Sequence, residues 1–203
     1  ESMEAKERQG ESLKYLAIEP DGYDAQRTYP MVVLLHGFGS HMGDLAGLCP
    51  AIDRERYVYI CPNAPISMEI GPGMTGYAWT DPGEPAAEDG DRAEEMLAGL
   101  FDEVMEEYRV EPGTAVLGGF SQGGMMTYRN GLVAPERFRG LVALSGRIPE
   151  PELLRPRLPA DRGQAIFIAH GTADSMIAVG DARESRRFLE EEGYTPRYNE
   201  YSM

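Results

Sequence analysis

Apolar positions along this chain fall into short runs divided by Gly- and Pro-rich breaks. Met31-Val32-Val33-Leu34-Leu35 and Tyr57-Val58-Tyr59-Ile60-Cys61 are continuous apolar runs, the pattern of strands covered on both faces. Leu13 to Ile18 alternates instead, in the manner of an edge strand, and runs into a Pro20-Asp21-Gly22 turn. Residues 114–120, 140–146, 164–169 and 195–202 read as further strands. Asp44 to Ile52 predicts a short helix with Asp44 as its N-cap. From Glu88 to Arg109 the period becomes helical. Leu97, Leu100, Phe101, Val104, Met105 and Tyr108 share one face, while Glu94, Glu95, Asp102, Glu103 and Glu106 occupy the other. Helices are also predicted from Ser121 to about Val133 and over Val179 to Gly193, the latter with Phe188 and Leu189 inward. Residues 66–87 and 147–163 read as irregular excursions. The first carries Met68, Ile70, Met74, Tyr77 and Trp79, which suits either a surface loop pinned by its own side chains or the wall of an apolar pocket.

Strands that alternate with helices predict a single α/β domain over residues 1–203, with a doubly wound, mostly parallel sheet and helices on both faces. Ligands of such sheets bind outside the carboxyl ends of the strands. Three loops with chemical character fall at that edge: His36 to Ser40, Gly119 to Gly123 and His170 to Asp174.

Charge and composition narrow the function classes. The net charge of −15 argues against nucleic acid or an anionic membrane as a partner, since phosphate contacts need a basic surface. No apolar run approaches the roughly 18 residues of a membrane helix, so no stable membrane insertion is expected. The charged start, Glu1 to Glu7, lacks the apolar core of a signal peptide. A cytoplasmic location is the expectation. Cys49 and Cys61 match no metal-ligand spacing and read as two buried free thiols, with a disulfide as the alternative. Oligomeric state is not legible.

The stretch Ala115-Val116-Leu117-Gly118-Gly119-Phe120-Ser121-Gln122-Gly123 passes from an apolar strand through Gly-X-Ser-X-Gly into a helix. Strand, sharp turn, helix is the context that presents a nucleophilic Ser, and glycines on either side allow the backbones to approach. An ordinary Gly-rich turn would share the pentapeptide but not its setting. Gln122 starts the helix, so its N–H is an unpaired donor. Phe38, in the loop after the first parallel strand, offers a second N–H for an oxyanion. Asp174 lies past a strand end and suits the carboxylate that orients a catalytic base, or else a plain turn Asp; Asp161 and Asp181 lie away from strand ends. The base itself is the difficulty. His36, His41 and His170 all precede Asp174, whereas this architecture orders Ser, Asp, His. His36 and His170 read as buried imidazoles bonded to loop backbone.

At these residues the chain resembles the carboxylesterase, lysophospholipase and acyl-protein thioesterase family of α/β-hydrolases. The blocks that carry the resemblance are Leu34-Leu35-His36-Gly37-Phe38-Gly39, Pro62-Asn63-Ala64-Pro65, Ala78-Trp79-Thr80-Asp81, Gly119-Phe120-Ser121-Gln122-Gly123-Gly124 and His170-Gly171-Thr172-Ala173-Asp174. It implies an α/β-hydrolase fold, Ser121 as nucleophile, Asp174 as triad acid, Phe38 and Gln122 as oxyanion donors, an apolar acyl pocket, no metal and no organic cofactor. Met74, Trp79 and Ile148 are the residues expected to bound the acyl site, from the apolar content of the two excursions. The family's last strand leads into a Gly-His that carries the base and then a C-terminal helix. Here Tyr198 to Met203 resembles that strand, so the base and helix are expected beyond Met203. The resulting expectation is a serine hydrolase of short to medium acyl esters, with a small-molecule ester as its partner. A non-catalytic binding module on the same scaffold is the alternative, and a peptidase or amidase would need the same site.

Overall fold

The structure is a computed structural model that describes residues 3–81, 83 and 87–203. Its frame is an eight-stranded sheet in the order β1-β2-β4-β3-β7-β8-β9-β10. The strands are β1 (Glu4–Gln9), β2 (Lys14–Glu19), β3 (Met31–Leu35), β4 (Val58–Pro62), β7 (Ala115–Phe120), β8 (Gly140–Leu144), β9 (Ala165–Gly171) and β10 (Arg197–Tyr201). β1 and β2 join antiparallel, and every pairing from β4 to β10 is parallel. A smaller antiparallel pair, β5 (Ile66–Gly71) and β6 (Met74–Ala78), stands apart from it.

Strand alternation sorts side chains between two cores. Met31, Val33 and Leu35 of β3 enter the main core with Ile60, Leu117, Leu141, Ile166 and Ile168. Covering them are α3 (Ala87–Glu107), α4 (Gln122–Gly131) and α6 (Val179–Glu191), through Leu97, Leu100, Phe101, Val104, Met126, Phe188 and Leu189. Each fully buried Leu, Phe or Val there contributes roughly 1.5–3 kcal/mol. Phe101 meets Phe138 edge-on at 4.9 Å. The even positions face the other way. Val32 packs with Ile18, Tyr59, Cys61 and Cys49 beneath α1 (Met42–Ala46) and α2 (Cys49–Ile52). Both cysteines are free and buried in this second cluster. Helices therefore sit on both faces. Further along the second face, across β7 and β8, Val116, Val142 and Leu144 line an apolar groove of about 260 Å³.

Several expected elements take a different form. The charged N-terminal segment is the edge strand β1, which makes β2 an interior strand. Its pairing is held by Lys6 Nζ, 2.6 Å from a Glu19 carboxylate that is itself only 5% exposed and accepts from Tyr108 Oη at 3.2 Å. Residues 66–78 form a hairpin rather than an irregular loop, because Ile66 to Gly71 and Met74 to Ala78 satisfy each other's backbone groups. The remainder of that excursion includes residues 82 and 84–86, which lie outside the described residues. Asp44 is not an N-cap. His41 holds that position, its Nδ1 accepting from Gly43 N–H at 3.0 Å, while Asp44 accepts from Ser40 Oγ at 2.8 Å. The second excursion contains α5 (Pro151–Leu154) and a 3₁₀ turn, Arg155–Arg157. No helix among the described residues is long and apolar enough to cross a membrane.

Candidate active site

β7 runs through the middle of the parallel strands, so the turn after it opens at the centre of the sheet's carboxyl edge. Ser121 occupies that turn with φ 56° and ψ −117°, a backbone conformation that L-residues rarely adopt. Tight packing imposes it. A Cβ on Gly119 would lie 2.2 Å from the Gly123 carbonyl oxygen, and one on Gly123 would lie 2.0 Å from that of Leu35. The turn is tied to the next strand by Ser121 N–H, which donates to Leu144 O at 2.8 Å. Its carbonyl accepts from Met125 N–H at 3.1 Å and so begins α4. The Ser121 hydroxyl makes no cap hydrogen bond.

A cleft of about 240 Å³ opens beside this turn. It is lined by Ser121, Phe38, Asp174, Phe120, Ser145 and Met176, with Gly37, Ser40 and Asp44 on its wall. Three strand ends thus bring Ser121, Phe38 and Asp174 to one place. In the Phe38 loop, Gly39 N–H donates to Tyr77 O at 2.8 Å and Ser40 N–H to Gly37 O at 3.2 Å, while the Phe38 N–H has no acceptor among the described residues. Gln122 N–H begins α4 and has no intrahelical acceptor. The Gln122 side chain turns inward: Oε1 accepts from Trp79 N–H at 2.7 Å, and Nε2 donates to Thr80 O and Oγ1, both at 2.9 Å. These bonds anchor the residues after β6 to the start of α4.

Asp174 is held by its own turn. Its Oδ1 accepts from the N–H groups of Met176 at 2.9 Å and Ile177 at 3.0 Å. Oδ2 lies 3.5 Å from His170 Nε2, whose proton goes to Ile177 O at 2.7 Å. β10 closes along the same loop, with Thr172 N–H donating to Tyr201 O at 2.8 Å and Ala173 N–H to Met203 O at 2.9 Å.

Of the residues expected to bound the acyl site, none lines this cleft. Trp79 is fully buried, its Nε1–H donating to His36 O at 2.8 Å, and it braces the Phe38 loop from beneath. Ile148 is also a core residue, its N–H donating to Ser185 Oγ at 2.9 Å. Met74 is exposed at the start of β6. The apolar lining comes instead from Phe38, Phe120 and Met176. Phe120 could have been found from its place directly before Ser121, at the open end of a strand. Ser145 and Met176 had no comparable signal.

His36 is engaged at both nitrogens, Nδ1 with Gly37 O at 2.7 Å and Nε2 with Ala64 N–H at 3.0 Å. Nδ1 must donate and Nε2 accept, which defines the neutral imidazole, and burial holds its pKa below the ordinary histidine value. The unfolded chain therefore takes up a proton near pH 6.5 that the folded chain refuses. Above that pH both states are neutral and the group has no effect. Below it, stability falls with falling pH by up to about 1.4 kcal/mol per unit, until the folded pKa is reached. Replacing His36 by Gln should flatten this part of the profile. Urea midpoints of both proteins between pH 5 and 7.5 would show it, and parallel profiles would refute it.

A mostly parallel sheet with a strained Ser between strand and helix at its carboxyl edge defines an α/β-hydrolase. Residues 16–201 match the family described as Phospholipase/Carboxylesterase, and the chain belongs to that family. Acyl-protein thioesterase 1 of Mycosarcoma maydis is 31% identical over 206 residues, which cover 89% of this chain and 82% of that protein. Acyl-protein thioesterase 1 of Kluyveromyces lactis is 25% identical over 181 residues, covering 82% and 78%. Among solved structures, esterase PE8 superposes with a TM-score of 0.79 at 25% identity, covering 94% of this chain and 90% of that one. Zea mays acyl-protein thioesterase 2, at 20% identity and a TM-score of 0.72 over 92% and 88%, shares the fold. Membership places the chain among hydrolases of carboxylic esters.

Proposed function

We propose that the protein is a serine carboxylic-ester hydrolase working through an acyl-enzyme. The observation that carries this reading is the strained, glycine-flanked Ser121, which shares one cleft with Phe38 and Asp174. Ser121 Oγ attacks the ester carbonyl carbon as its proton passes to an imidazole base. The charge that develops on the carbonyl oxygen rests on the N–H groups of Phe38 and Gln122, each such donor lowering the barrier by about 3–4 kcal/mol. Collapse expels the leaving group with the proton from the imidazolium. Water, deprotonated by the same base, then frees the acid and restores Ser121. Asp174 orients the imidazole through Oδ2, which lies 3.5 Å from His170 Nε2 but accepts no hydrogen bond among the described residues, while two backbone N–H groups hold Oδ1. The Met203 carbonyl accepts from Ala173 N–H, one residue from Asp174, so the residues after β10 run beside the carboxylate.

The modest cleft and its Phe38, Phe120 and Met176 lining favour short to medium acyl chains. One observation favours the second reading, a binding module on a hydrolase scaffold. His36 and His170 are bonded to loop backbone and His41 caps a helix, so these imidazoles already have structural tasks. Fluorophosphonate treatment of the full-length protein separates the two. A hydrolase is labelled on the peptide that contains Ser121 and the Ser121→Ala variant is not. An unlabelled full-length protein would leave only the binding module.

A further inference from the structure

Ser145 ends β8 at φ 53°, a left-handed conformation that only glycine adopts freely. Its surroundings force this backbone. Ser145 N–H donates to Ala169 O of β9 at 2.9 Å, and a Cβ on the following Gly146 would sit 3.2 Å from Gly124 and 3.3 Å from Ser121 O. Glycine would fit position 145 without strain, yet a serine occupies it. Its side chain lines the cleft beside Ser121 and Asp174, and its hydroxyl has no hydrogen-bond partner among the described residues. A strained backbone and an unengaged polar group at one cleft position point to a chemical role for this residue.

Sheet order decides which part of a substrate this hydroxyl meets. The strands run β3-β7-β8-β9, with Phe38 after β3, Ser121 after β7, Ser145 after β8 and Asp174 after β9. The Phe38 donor lies on the β3 side of Ser121, and the Gln122 donor directly follows Ser121 at the start of α4. Ser145 lies on the opposite side, toward Asp174, where the base must stand to protonate the departing group. Resting on the hydrolase reading above, we propose that Ser145 contacts substrate and donates a hydrogen bond to the leaving-group oxygen as the acyl bond breaks. The proton stays on Ser145 throughout, and the leaving group takes its own proton from the base. An ester oxygen accepts such a bond well and a thioester sulfur accepts it weakly. Ser145 thereby biases the site toward oxygen esters over thioesters.

The test compares ethyl butyrate with S-ethyl thiobutyrate on the full-length protein and two variants. Ser145→Ala should lower kcat/KM for the oxygen ester roughly tenfold, mostly through kcat, and leave the thioester within about twofold. Ser145→Gly should show the same ratio change while raising Tm by about 2–4 °C, because it removes the strain along with the hydroxyl. Equal losses on both substrates, or no loss on either, overturn the assignment. A wild-type protein that turns over both esters while the variants leave their ratio unmoved defeats this proposal and spares the hydrolase reading. A wild-type protein that is unlabelled by fluorophosphonate and turns over neither ester defeats both.

Discussion

Ser121→Ala should lower kcat on a short acyl ester by roughly 10⁴–10⁶-fold while the protein stays folded. On the proposed acyl-enzyme route the loss is large because every chemical step would pass through that one oxygen. What would remain after its removal is water attack at a carbonyl polarised by the proposed donors, the Phe38 and Gln122 amides. The fold should hardly notice. The hydroxyl caps nothing, and the bonds that position the turn, Ser121 N–H to Leu144 O and Met125 N–H to Ser121 O, belong to the backbone and survive in alanine. Steady-state kinetics with p-nitrophenyl butyrate, read beside a thermal melt, would check both halves. An alanine variant with a substantial share of wild-type turnover would sink the nucleophile assignment. A variant that lost turnover together with several degrees of Tm would show the hydroxyl to be structural.

Gly123→Ala should remove activity by a different route, through the backbone. Its Cβ would lie 2.0 Å from Leu35 O and 2.5 Å from His36 O, both main-chain atoms at the end of β3. Neither can rotate away as a side chain could. Either α4 withdraws from the sheet or the Phe38 loop shifts, and each moves a backbone N–H, that of Gln122 or of Phe38, away from Ser121, where the proposed mechanism needs it. The expected destabilisation is about 3 kcal/mol, a fall of about 6–12 °C in Tm, with fluorophosphonate labelling lost even below the melting point. Gly180→Ala, in α6, is the matched control: its Cβ would meet nothing within 4 Å, so labelling should be unchanged and stability kept or slightly raised, as alanine suits a helix better than glycine. A Gly123→Ala protein that labels at the wild-type rate would mean that the close approach of α4 to β3 is not what forms the site.

Much of the site was legible because its signals are local. The glycines around Ser121 are demanded by contacts within one turn and its two neighbouring strands, so the requirement is written into the residues themselves. The stripe from Leu97 to Val104 was legible for the same reason, as helical period is a property of consecutive residues. Failures arose where partners distant in sequence decide the outcome. The polar Glu4–Gln9 segment becomes a strand only because β2 offers its backbone and the buried Glu19 accepts Lys6. Trp79 looked like a pocket wall because an aromatic in a Gly-rich stretch suggests a binding loop. Its burial follows from an indole N–H that finds the His36 carbonyl. Ser145 carried no mark, since a left-handed backbone at a non-glycine residue appears only once the strands on either side are in place.

By itself, then, the sequence determined the alternation of strand and helix, the loops that meet at the sheet's carboxyl edge, and the glycine-flanked turn that carries Ser121. Periodicity and the steric demands of a tight turn act over a few residues and can be read from them. Tertiary structure alone decided what surrounds Ser121: that Phe120 and Met176 line the cleft while Trp79 and Ile148 do not, and that Ser145 stands between Ser121 and Asp174. Which side chains face a cleft depends on strand order and on close contacts between segments far apart in the chain, and neither is encoded in the spacing of neighbouring residues.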